Sequence, residues 1–398
     1  MSEWKKCPIG EVVTLRQGFA INAKSKHYMS KEETSLPLLR IADMKNGTKE
    51  VFVKEEIPQR FIAHPEDIIY TRTGNVGLVF RNNYGVMHNN CFSVTPNDAD
   101  ELSRDFLYYA LQNKTFFDTA NVLARGAAQP DLPHTSFNSI EFAYPSLFAQ
   151  ERIANILSRY DSLIENYQKQ IKLLEEAARR LYKEWFVDLH FPGYENGMIV
   201  DGVPEGWEKK PALDFFEMSI GKTPPRTQKQ WFTKGSNGIP WVSISDMKDT
   251  MFVQETAEEL TQDACENYNI KVVPKETILL SFKLTVGRVA FAGADVCTNE
   301  AIAHFQKEGD DWKAYTLMYL RNYNYDSLGN TSGISKAVNS TIIKNMPFVM
   351  PCTAILQEFS QRVLPFIKQT ENLQSQLRLL TEARDRLLPK LMSGEITV

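Results

Sequence analysis

Apolar residues recur at alternating spacings of four and three along two long segments of the chain. In the first segment they are Ile153, Leu157, Tyr160, Ile164, Tyr167, Ile171, Leu174, Ala178, Leu181 and Trp185. In the second, the corresponding positions, each 206 residues later, are Phe359, Val363, Phe366, Thr370, Leu373, Leu377, Leu380, Arg384, Leu387 and Leu391. Eight of these ten residues are apolar, and Thr370 and Arg384 are the exceptions. This is the heptad pattern of a coiled coil. Because a narrow apolar stripe on a charged helix needs a partner, the pattern predicts long helices near 150–187 and 355–391 that pack antiparallel.

The predicted pair of helices has a defined seam and defined ends. Its central seam positions are Ile164, Ile171, Leu174, Leu181, Thr370, Leu377, Leu380 and Leu387. Pro365 is expected to kink the second helix or to start it afresh, because proline lacks the backbone donor of an interior helical residue. Pro389 and Gly394 are expected to mark its end. A helix from Ile153 to Trp185 would be roughly 50 Å long, which exceeds one turn of B-DNA at about 34–36 Å. Such a pair could hold two modules along DNA, or merely space or dimerise the domains.

The segments before each helix carry the pattern of a mixed α/β module. Residues 67–80 and 278–291 both read as a strand, a glycine-containing turn and a second strand. Short helical patterns follow at 105–113 and 315–322. The same order of elements is therefore predicted in both halves of the chain.

The chain also repeats itself at a period too long for a solenoid, whose repeats run about 20–50 residues. Trp4 recurs as Trp207, and the segment 37–45 recurs as 240–248, both at an offset of 203. With the strand and helix patterns, this predicts an α+β chain in which two similar mixed α/β modules are joined by two long antiparallel helices forming a coiled coil, with pseudo-twofold symmetry. Duplex DNA is the obvious ligand for such a two-ended object.

Composition narrows the class of protein. The 398 residues suffice for two or three domains. We expect a cytoplasmic protein, because no long apolar run and no signal-peptide core is present. The five scattered cysteines favour neither a zinc site nor a disulfide framework. The net charge of −4 counts mildly against a DNA-binding protein.

Local charge favours DNA more than the total does. The stretch between Glu11 and Glu32 and the corresponding stretch between Glu217 and Asp246 contain no acidic residue. Their basic residues are Arg16, Lys24, Lys26, Lys31, Lys222, Arg226, Lys229 and Lys234. Residues 68–97 and 277–294 are also acid-free and carry Arg72, Arg81, Lys283 and Arg288. Segregation of this kind can create a positive face on an acidic protein, and chance clustering on a solvated surface is the alternative.

Catalytic motifs are not evident. Gly221-Lys222-Thr223 lacks the earlier glycine of a phosphate-binding loop, because position 216 is phenylalanine. No cofactor loop of a DNA methyltransferase occurs. The six histidines show no metal-ligand spacing, and a base contact is conceivable for His134, although a core or surface role is the simpler interpretation. These observations favour a recognition subunit over an enzyme, with no catalytic residue and no metal site.

At this point several motifs resemble the specificity subunits of type I restriction-modification systems. Pro145–Glu151 and Pro351–Glu358 are similar to the family's proline-led entry to each conserved helix. Leu181–Asp188 resembles its central exit segment, and Leu387–Ile396 its C-terminal exit. Trp4 and Trp207 match the entry to each recognition domain, so the resemblance covers nearly the whole chain.

The resemblance implies a division into domains. Residues 1–145 would form target-recognition domain 1, residues 146–190 the central conserved helix and residues 191–204 a connector. Residues 205–352 would form target-recognition domain 2, and residues 353–398 the C-terminal conserved helix.

The resemblance also implies partners. Such a subunit is non-catalytic, binds double-stranded DNA with a bipartite target and docks two methylation subunits. Motor-nuclease subunits join through the complex. The chain itself would hold no cofactor, and S-adenosylmethionine, ATP and Mg²⁺ would be bound by partner subunits.

Base-reading residues are predicted from physical chemistry, since recognition domains vary with their target. Exposed loops that carry polar side chains read base edges in the major groove. The candidates are Arg72, Thr73, Asn75, Arg125, Gln129, Lys283, Thr285, Arg288, Ser335, Lys336 and Asn339. Lys24, Lys26, Lys222 and Arg226 are predicted to contact phosphates. The alternatives are a coiled-coil scaffold without sequence-specific DNA binding and an autonomous nuclease.

Overall fold

A computed structural model describes residues 4–126, 128–200, 202–235, 238–328 and 338–398. The chain forms two compact units, unit 1 comprising Met1–Ile164 with Leu380–Val398 and unit 2 comprising Glu165–Leu379. Each unit holds one α/β module and parts of both long helices. The division into domains at the helix ends stays a prediction, because the compact units divide inside the helices.

The module of unit 1 contains eleven named strands within the described residues and four short helices. The strands are β1 Lys5–Pro8, β2 Val13–Gln17, β3 Met29–Ser30, β4 Leu36–Leu39, β5 Phe52–Val53, β6 Ile62–Ala63, β7 Ile68–Thr71, β8 Val79–Phe80, β9 Gly85–Met87, β10 Cys91–Pro96 and β11 Glu141–Tyr144. The helices are α1 Ile41–Asn46, α2 Arg104–Gln112, α3 Lys114–Leu123 and α4 His134–Asn138, and the long helix α5 Leu147–Tyr182 follows. The predicted strand, turn and strand at 67–80 and the helix near 105–113 are confirmed.

Three sheets build this module. One has the strand order β2-β10-β7-β8, one has the order β3-β5-β4-β9-β6, and β1 pairs with β11. All are antiparallel pairings except β4 with β9, which run parallel. The strand β7 is buried along its whole length because its residues Ile68, Ile69 and Tyr70 face packed layers on both sides.

The module of unit 2 repeats this order. Its strands are β12 Ile199–Val200, β13 Val203–Pro204, β14 Glu208–Pro211, β15 Glu217–Ile220, β16 Phe232–Thr233, β17 Ile239–Val242, β18 Phe252–Val253, β19 Glu258–Leu260, β20 Ile278–Ser281, β21 Val289–Ala292, β22 Cys297–Thr298, β23 Ile302–Gln306 and β24 Pro347–Met350. Its helices are α6 Gln262–Asn267, α7 Lys313–Asn322 and α8 Ser340–Lys344, followed by the long helix α9 Thr353–Met392. Within the described residues no helix is long and apolar enough to cross a membrane.

The sheets of unit 2 correspond to those of unit 1. The order β15-β23-β20-β21-β18 matches β2-β10-β7-β8 with one added strand, and β16-β19-β17-β22 matches β3-β5-β4-β9-β6 without its edge strand β6. The parallel pair also recurs, as β17 with β22, and β14 pairs with β24 as β1 does with β11. The duplication predicted from the sequence therefore extends to strand order and direction.

The two long helices meet in each unit. In unit 1, Ile153 and Leu157 of α5 share one apolar cluster with Leu391 of α9. Arg384 of α9 pairs with Asp161 of α5, with Nη1 and Oδ1 3.1 Å apart. The early residues of α5 thus meet the late residues of α9, and these segments run antiparallel. Arg384, a polar exception in the apolar stripe, is explained by this pair.

In unit 2 the end of α5 meets the start of α9. A π-helical turn, Lys183–Val187, continues α5, and the rings of Trp185 and Phe359 lie 5.7 Å apart. The Arg362 guanidinium lies 5.2 Å from the Trp185 ring centre. Both ends of the predicted pairing are therefore present, each within one unit.

The predicted seam is only partly buried. Two of its central positions, Ile164 and Thr370, are buried. The other six are partly exposed: Ile171, Leu174, Leu181, Leu377, Leu380 and Leu387. Their role as seam residues stays a prediction.

The second helix does not start afresh at Pro365. The helix α9 runs from Thr353 to Met392 through this proline. Pro365 is exposed, whereas Val363 and Ile367 on either side are 0% and 3% exposed. Burial of these neighbours offsets the roughly 3 kcal/mol that an interior proline costs. The helix also continues three residues past Pro389 and ends before Gly394, whose φ is +73°.

The module of unit 2 is tied to α9 by polar contacts. Gln374 accepts a hydrogen bond from the Phe252 backbone at 3.1 Å and donates one to the Thr250 hydroxyl at 2.8 Å. Lys275 pairs with Glu371, with Nζ and Oε1 2.7 Å apart. These contacts fix the edge strand β18 against the helix, so the helix positions the module.

Candidate nucleic-acid interface

The turn after β7 is closed by the hydroxyl of Thr71. Its Oγ1 donates to the Asn75 carbonyl and accepts from the Leu78 backbone at 2.9 Å. The Gly77 backbone donates to the Thr71 carbonyl at 3.0 Å. These three bonds fix a loop over residues 72–77 whose tip, Gly74 and Asn75, is exposed. We call it loop A.

The turn after β20 has the same construction. Ser281 Oγ donates to the Thr285 carbonyl at 2.6 Å and accepts from the Arg288 backbone at 3.0 Å. The Gly287 backbone donates to the Ser281 carbonyl at 2.9 Å. This loop, residues 282–287, is loop B, and it exposes Lys283, Leu284 and Thr285. The duplicated sheet therefore presents one loop of the same shape in each unit.

The two loops differ at the position that needs left-handed backbone. In loop A it is Gly74, with φ +84°, and in loop B it is Leu284, with φ +59°. A left-handed conformation costs a residue with a Cβ roughly 1–2 kcal/mol. A side chain at Gly74 would meet open space. The fold therefore permits a side chain at this tip, and loop B carries one.

Loop A is stabilised by an acidic residue from a distant part of the chain. Arg72 forms two hydrogen bonds to Asp131, the shorter joining Nη2 and Oδ2 at 2.7 Å. Thr73 donates to the same carboxylate at 2.6 Å, and Arg72 also donates to Gln17 at 3.3 Å. Burial raises the pKa of Asp131, but the bonds from Arg72 and Thr73 outweigh it and hold that pKa below its usual range. The carboxylate orients both predicted base readers.

Two residues predicted to contact DNA, Arg226 and Arg288, bind groups within the protein that the sequence did not suggest. Arg226 pairs with both oxygens of Glu258, at 2.9 and 2.7 Å, and lies 4.5 Å from the Trp241 ring centre. Arg288 is partly buried and donates to the Ile244 carbonyl at 2.7 Å. A segment without acids in sequence is therefore not without acids in space. The Arg288 side chain is thus partly used within the fold, and its role as a base reader stays a prediction.

Other predicted residues are exposed. Lys24, Lys26, Lys222 and Lys283 make no ion pair within the described parts of the chain, and neither does Arg125. Asn75, Thr285 and Gln129 also face solvent. The Asn339 side chain caps α8 by accepting from the Ile342 backbone at 2.9 Å, so part of its bonding capacity is used within the fold. Ser335 and Lys336 lie outside the described residues.

A glycine lets the chain pass close to each loop. An added Cβ at Gly18 would overlap the His88 carbonyl, and one at Gly221 would overlap Thr298. The two glycines donate at 3.2 Å to equivalent strand residues, Cys91 and Ile302. Their lack of a side chain brings the basic segments after β2 and β15 against the base of each loop.

In unit 2 a second acidic residue, besides Glu258, lies among the basic ones. Burial raises the pKa of Glu300, but the hydrogen bond from Thr223 and the charges of Lys283 and Arg226 outweigh it and hold that pKa below its usual range. The Phe282 backbone donates to the Ala301 carbonyl at 2.9 Å, next to this carboxylate. Loop B and the segment 222–226 therefore share one surface, which we call surface B.

His304 is a core histidine. It is fully buried on β23, and its ring nitrogens lie 2.8 Å from the Ser219 and Thr298 hydroxyls. Burial lowers its pKa from 6.5 to about 4. Within the described residues, no three His, Cys, Asp or Glu side chains are grouped as metal ligands. His134 is also partly buried, against the Phe92 ring, which agrees with a core role.

The lowered pKa of His304 makes stability depend on pH. The folded state binds its proton less readily than the unfolded state, so the stabilisation is complete above pH 6.5 and is lost as pH falls toward 4. Between pH 7 and pH 4 the free energy of unfolding should fall by about 3 kcal/mol through this group. Urea unfolding of the wild type and of His304→Gln at both pH values measures it. An equal fall in both proteins would contradict this role.

Two copies of one α/β module, each with the same loop and each carried on paired long helices, define a duplicated recognition protein. Residues 1–176 and 204–381 both match the family model of the type I restriction modification DNA specificity domain. The chain belongs to this family, and its function is DNA sequence recognition in a restriction-modification system.

Curated relatives agree with that assignment, and a solved structure shares the fold. The MjaIX specificity subunit of a type I restriction enzyme from Methanocaldococcus jannaschii is 29% identical over 318 residues, covering 77% of this chain and 72% of the relative. The HindI specificity subunit from Haemophilus influenzae is 23% identical over 479 residues and is matched along 100% of both chains. The crystal structure of the S subunit from M. genitalium superposes with a TM-score of 0.66 at 16% identity, covering 98% of this chain and 96% of that one. The relatives are specificity subunits, and a scaffold without sequence recognition is not favoured.

Proposed function

We propose that each unit reads one half of a bipartite duplex target and that the long helices set the spacing between the half-sites. The observation that carries this is a loop closed by the same hydrogen bonds at the same place in both modules. Loop A offers Thr73 and Asn75, and loop B offers Lys283 and Thr285, all with groups that hydrogen-bond to base edges. Exposed lysines at equivalent segments, Lys24 and Lys222, supply phosphate contacts.

We further propose that the long helices dock two methylation subunits. Each unit exposes large apolar side chains on these helices, which marks surfaces for protein partners. In unit 1 they are Phe148 and Leu163, and in unit 2 they are Leu173 and Leu379. Leu173 and Leu379 are equivalent positions of the repeat, 206 residues apart, and an equivalent exposed residue on each helix suits two copies of one partner.

Catalysis would then reside in the partners. The methylation subunits would supply S-adenosylmethionine, and motor-nuclease subunits would use ATP and Mg²⁺ in the assembled complex. The chain would act without a cofactor of its own, in the cytoplasm where the DNA is. The relatives' designation as specificity subunits supports this division of labour.

Phosphate and base contacts should separate in a salt series. Lys24→Ala and Lys222→Ala should weaken binding to all duplexes alike and lower the salt slope by about one. Arg72→Ala and Lys283→Ala should relax sequence choice in different half-sites, because a forked or polar base contact contributes about 1–3 kcal/mol of discrimination. The measurement is binding of the complex with its methylation subunits to matched and half-mismatched duplexes. Lys307→Ala, an exposed lysine beyond the far end of β23, is the matched control.

Uniform loss of affinity in all four variants would contradict the base-reading role. If Arg72→Ala alone lost affinity uniformly, its pair with Asp131 would be purely structural. The second result would leave the partly exposed Thr73 and the exposed Asn75 of loop A as the readers of the first half-site.

A further inference from the structure

Leu284 is a leucine in an unfavourable position, because its side chain is exposed to solvent and its backbone is in the left-handed region. It is 96% exposed at the tip of loop B, and its backbone φ is +59°. Gly74, at the same position of loop A, shows that the loop forms without a side chain. Strain and exposure together in one residue point to a contact made with a ligand.

The surroundings of Leu284 indicate the kind of ligand. Its neighbours Lys283 and Thr285 are exposed and polar. Surface B also carries Lys222, Arg226, which is paired with Glu258, and the Glu300 carboxylate. An apolar protein partner would have to desolvate these charged groups without pairing them. A polyanion that also presents apolar groups would pair the lysine and arginine charges, and duplex DNA is such a partner.

We propose that Leu284 is a specificity-determining residue whose side chain contacts the C5-methyl group of a thymine in the second half-site. The thymine methyl is the apolar group that base pairs present in the major groove. A leucine packed against the other base edges would displace water from their hydrogen-bond donors and acceptors without replacing those hydrogen bonds, which is unfavourable. Loop A, with glycine at this position, makes no such contact. The inference rests on the proposed function and names one residue of its recognition surface.

The test uses the complex of this chain with its methylation subunits. Pooled random duplexes first give the methylated sequence, and each thymine of the bound site is then replaced by uracil, which lacks the methyl group. One uracil in the second half-site should weaken wild-type binding about fourfold, as expected for one buried methyl group. Leu284→Gly relieves the backbone strain, so it should fold at least as well, and it should bind both duplexes equally. Leu213→Ala, an exposed leucine of the same unit, should behave as the wild type.

Several outcomes would overturn the proposal. A second half-site without thymine, or a wild type indifferent to every uracil, would exclude the methyl contact. Loss of affinity in Leu284→Gly with no effect of uracil would indicate insertion between bases instead. Loss of methylation-subunit binding with unchanged sequence choice would indicate a protein contact. If the wild-type complex itself showed no sequence preference in that half, the proposed function would fail, and not this inference alone.

Discussion

Replacing Phe359 with alanine is expected to lower the free energy of unfolding by about 3–5 kcal/mol, the usual range for a large aromatic residue in a packed core. Phe359 is 0% exposed near the start of α9. Its ring lies 4.9 Å from that of Phe186 and 5.7 Å from that of Trp185. The cavity would open where the second helix, the end of the first and the module of unit 2 share one core.

Tryptophan fluorescence during urea unfolding measures this effect. Five of the six tryptophans, all except Trp4, lie in unit 2, so the signal reports on that unit. Leu379→Ala is the matched control, because Leu379 also lies on α9 within unit 2 but is 55% exposed. Its stability should change by no more than about 0.5 kcal/mol. A loss below about 1 kcal/mol in Phe359→Ala would show that the helices do not depend on this contact.

Local patterns predicted the parts of the fold that depend on local physics. The heptad spacing from Ile153 to Trp185 predicted a long helix because each residue's face is set by its position alone. Residues 67–80 predicted two strands and a turn for the same reason. The offset of 203 between Trp4 and Trp207 predicted the duplication, and the matching strand orders confirm it.

Contacts between distant segments could not be predicted in this way. Asp131 lies 59 positions from Arg72, and Glu258 lies 32 positions from Arg226. Nothing in the intervening sequence places these carboxylates beside the basic residues, since sheet order decides it. Counting the basic residues of the acid-free segments therefore overestimates how many lysine and arginine side chains lack an acidic partner in the fold.

Pro365 and Leu284 show how tertiary context overrides local preference. A proline within a helical pattern normally ends the helix, yet the buried residues on either side keep α9 continuous. The signal for Leu284 was present in the sequence, because aligning the turn glycines Gly77 and Gly287 sets it at the position of Gly74. Because folding does not favour a leucine at this glycine position, we attribute the residue to a contact with the ligand.

The central claim is that each module reads its own half-site. Exchanging residues 205–350 for the matching segment of a relative with a different target should change one half of the methylated sequence only. The exchange should retain the ties to α9, Thr250, Phe252, Gln254 and Lys275, so that the module keeps its place on the helix. Exchanging residues 1–145 is the matched control and should change only the other half.

The readout is sequencing of methylated adenines in DNA exposed to each complex with its methylation subunits. Each wrong base pair typically costs about 1–3 kcal/mol, so exchange of a whole module should replace one half-site completely. The unexchanged half and the intervening spacer should stay as in the wild type. A methylated sequence in which both halves change after either single exchange would contradict separate reading by the two modules.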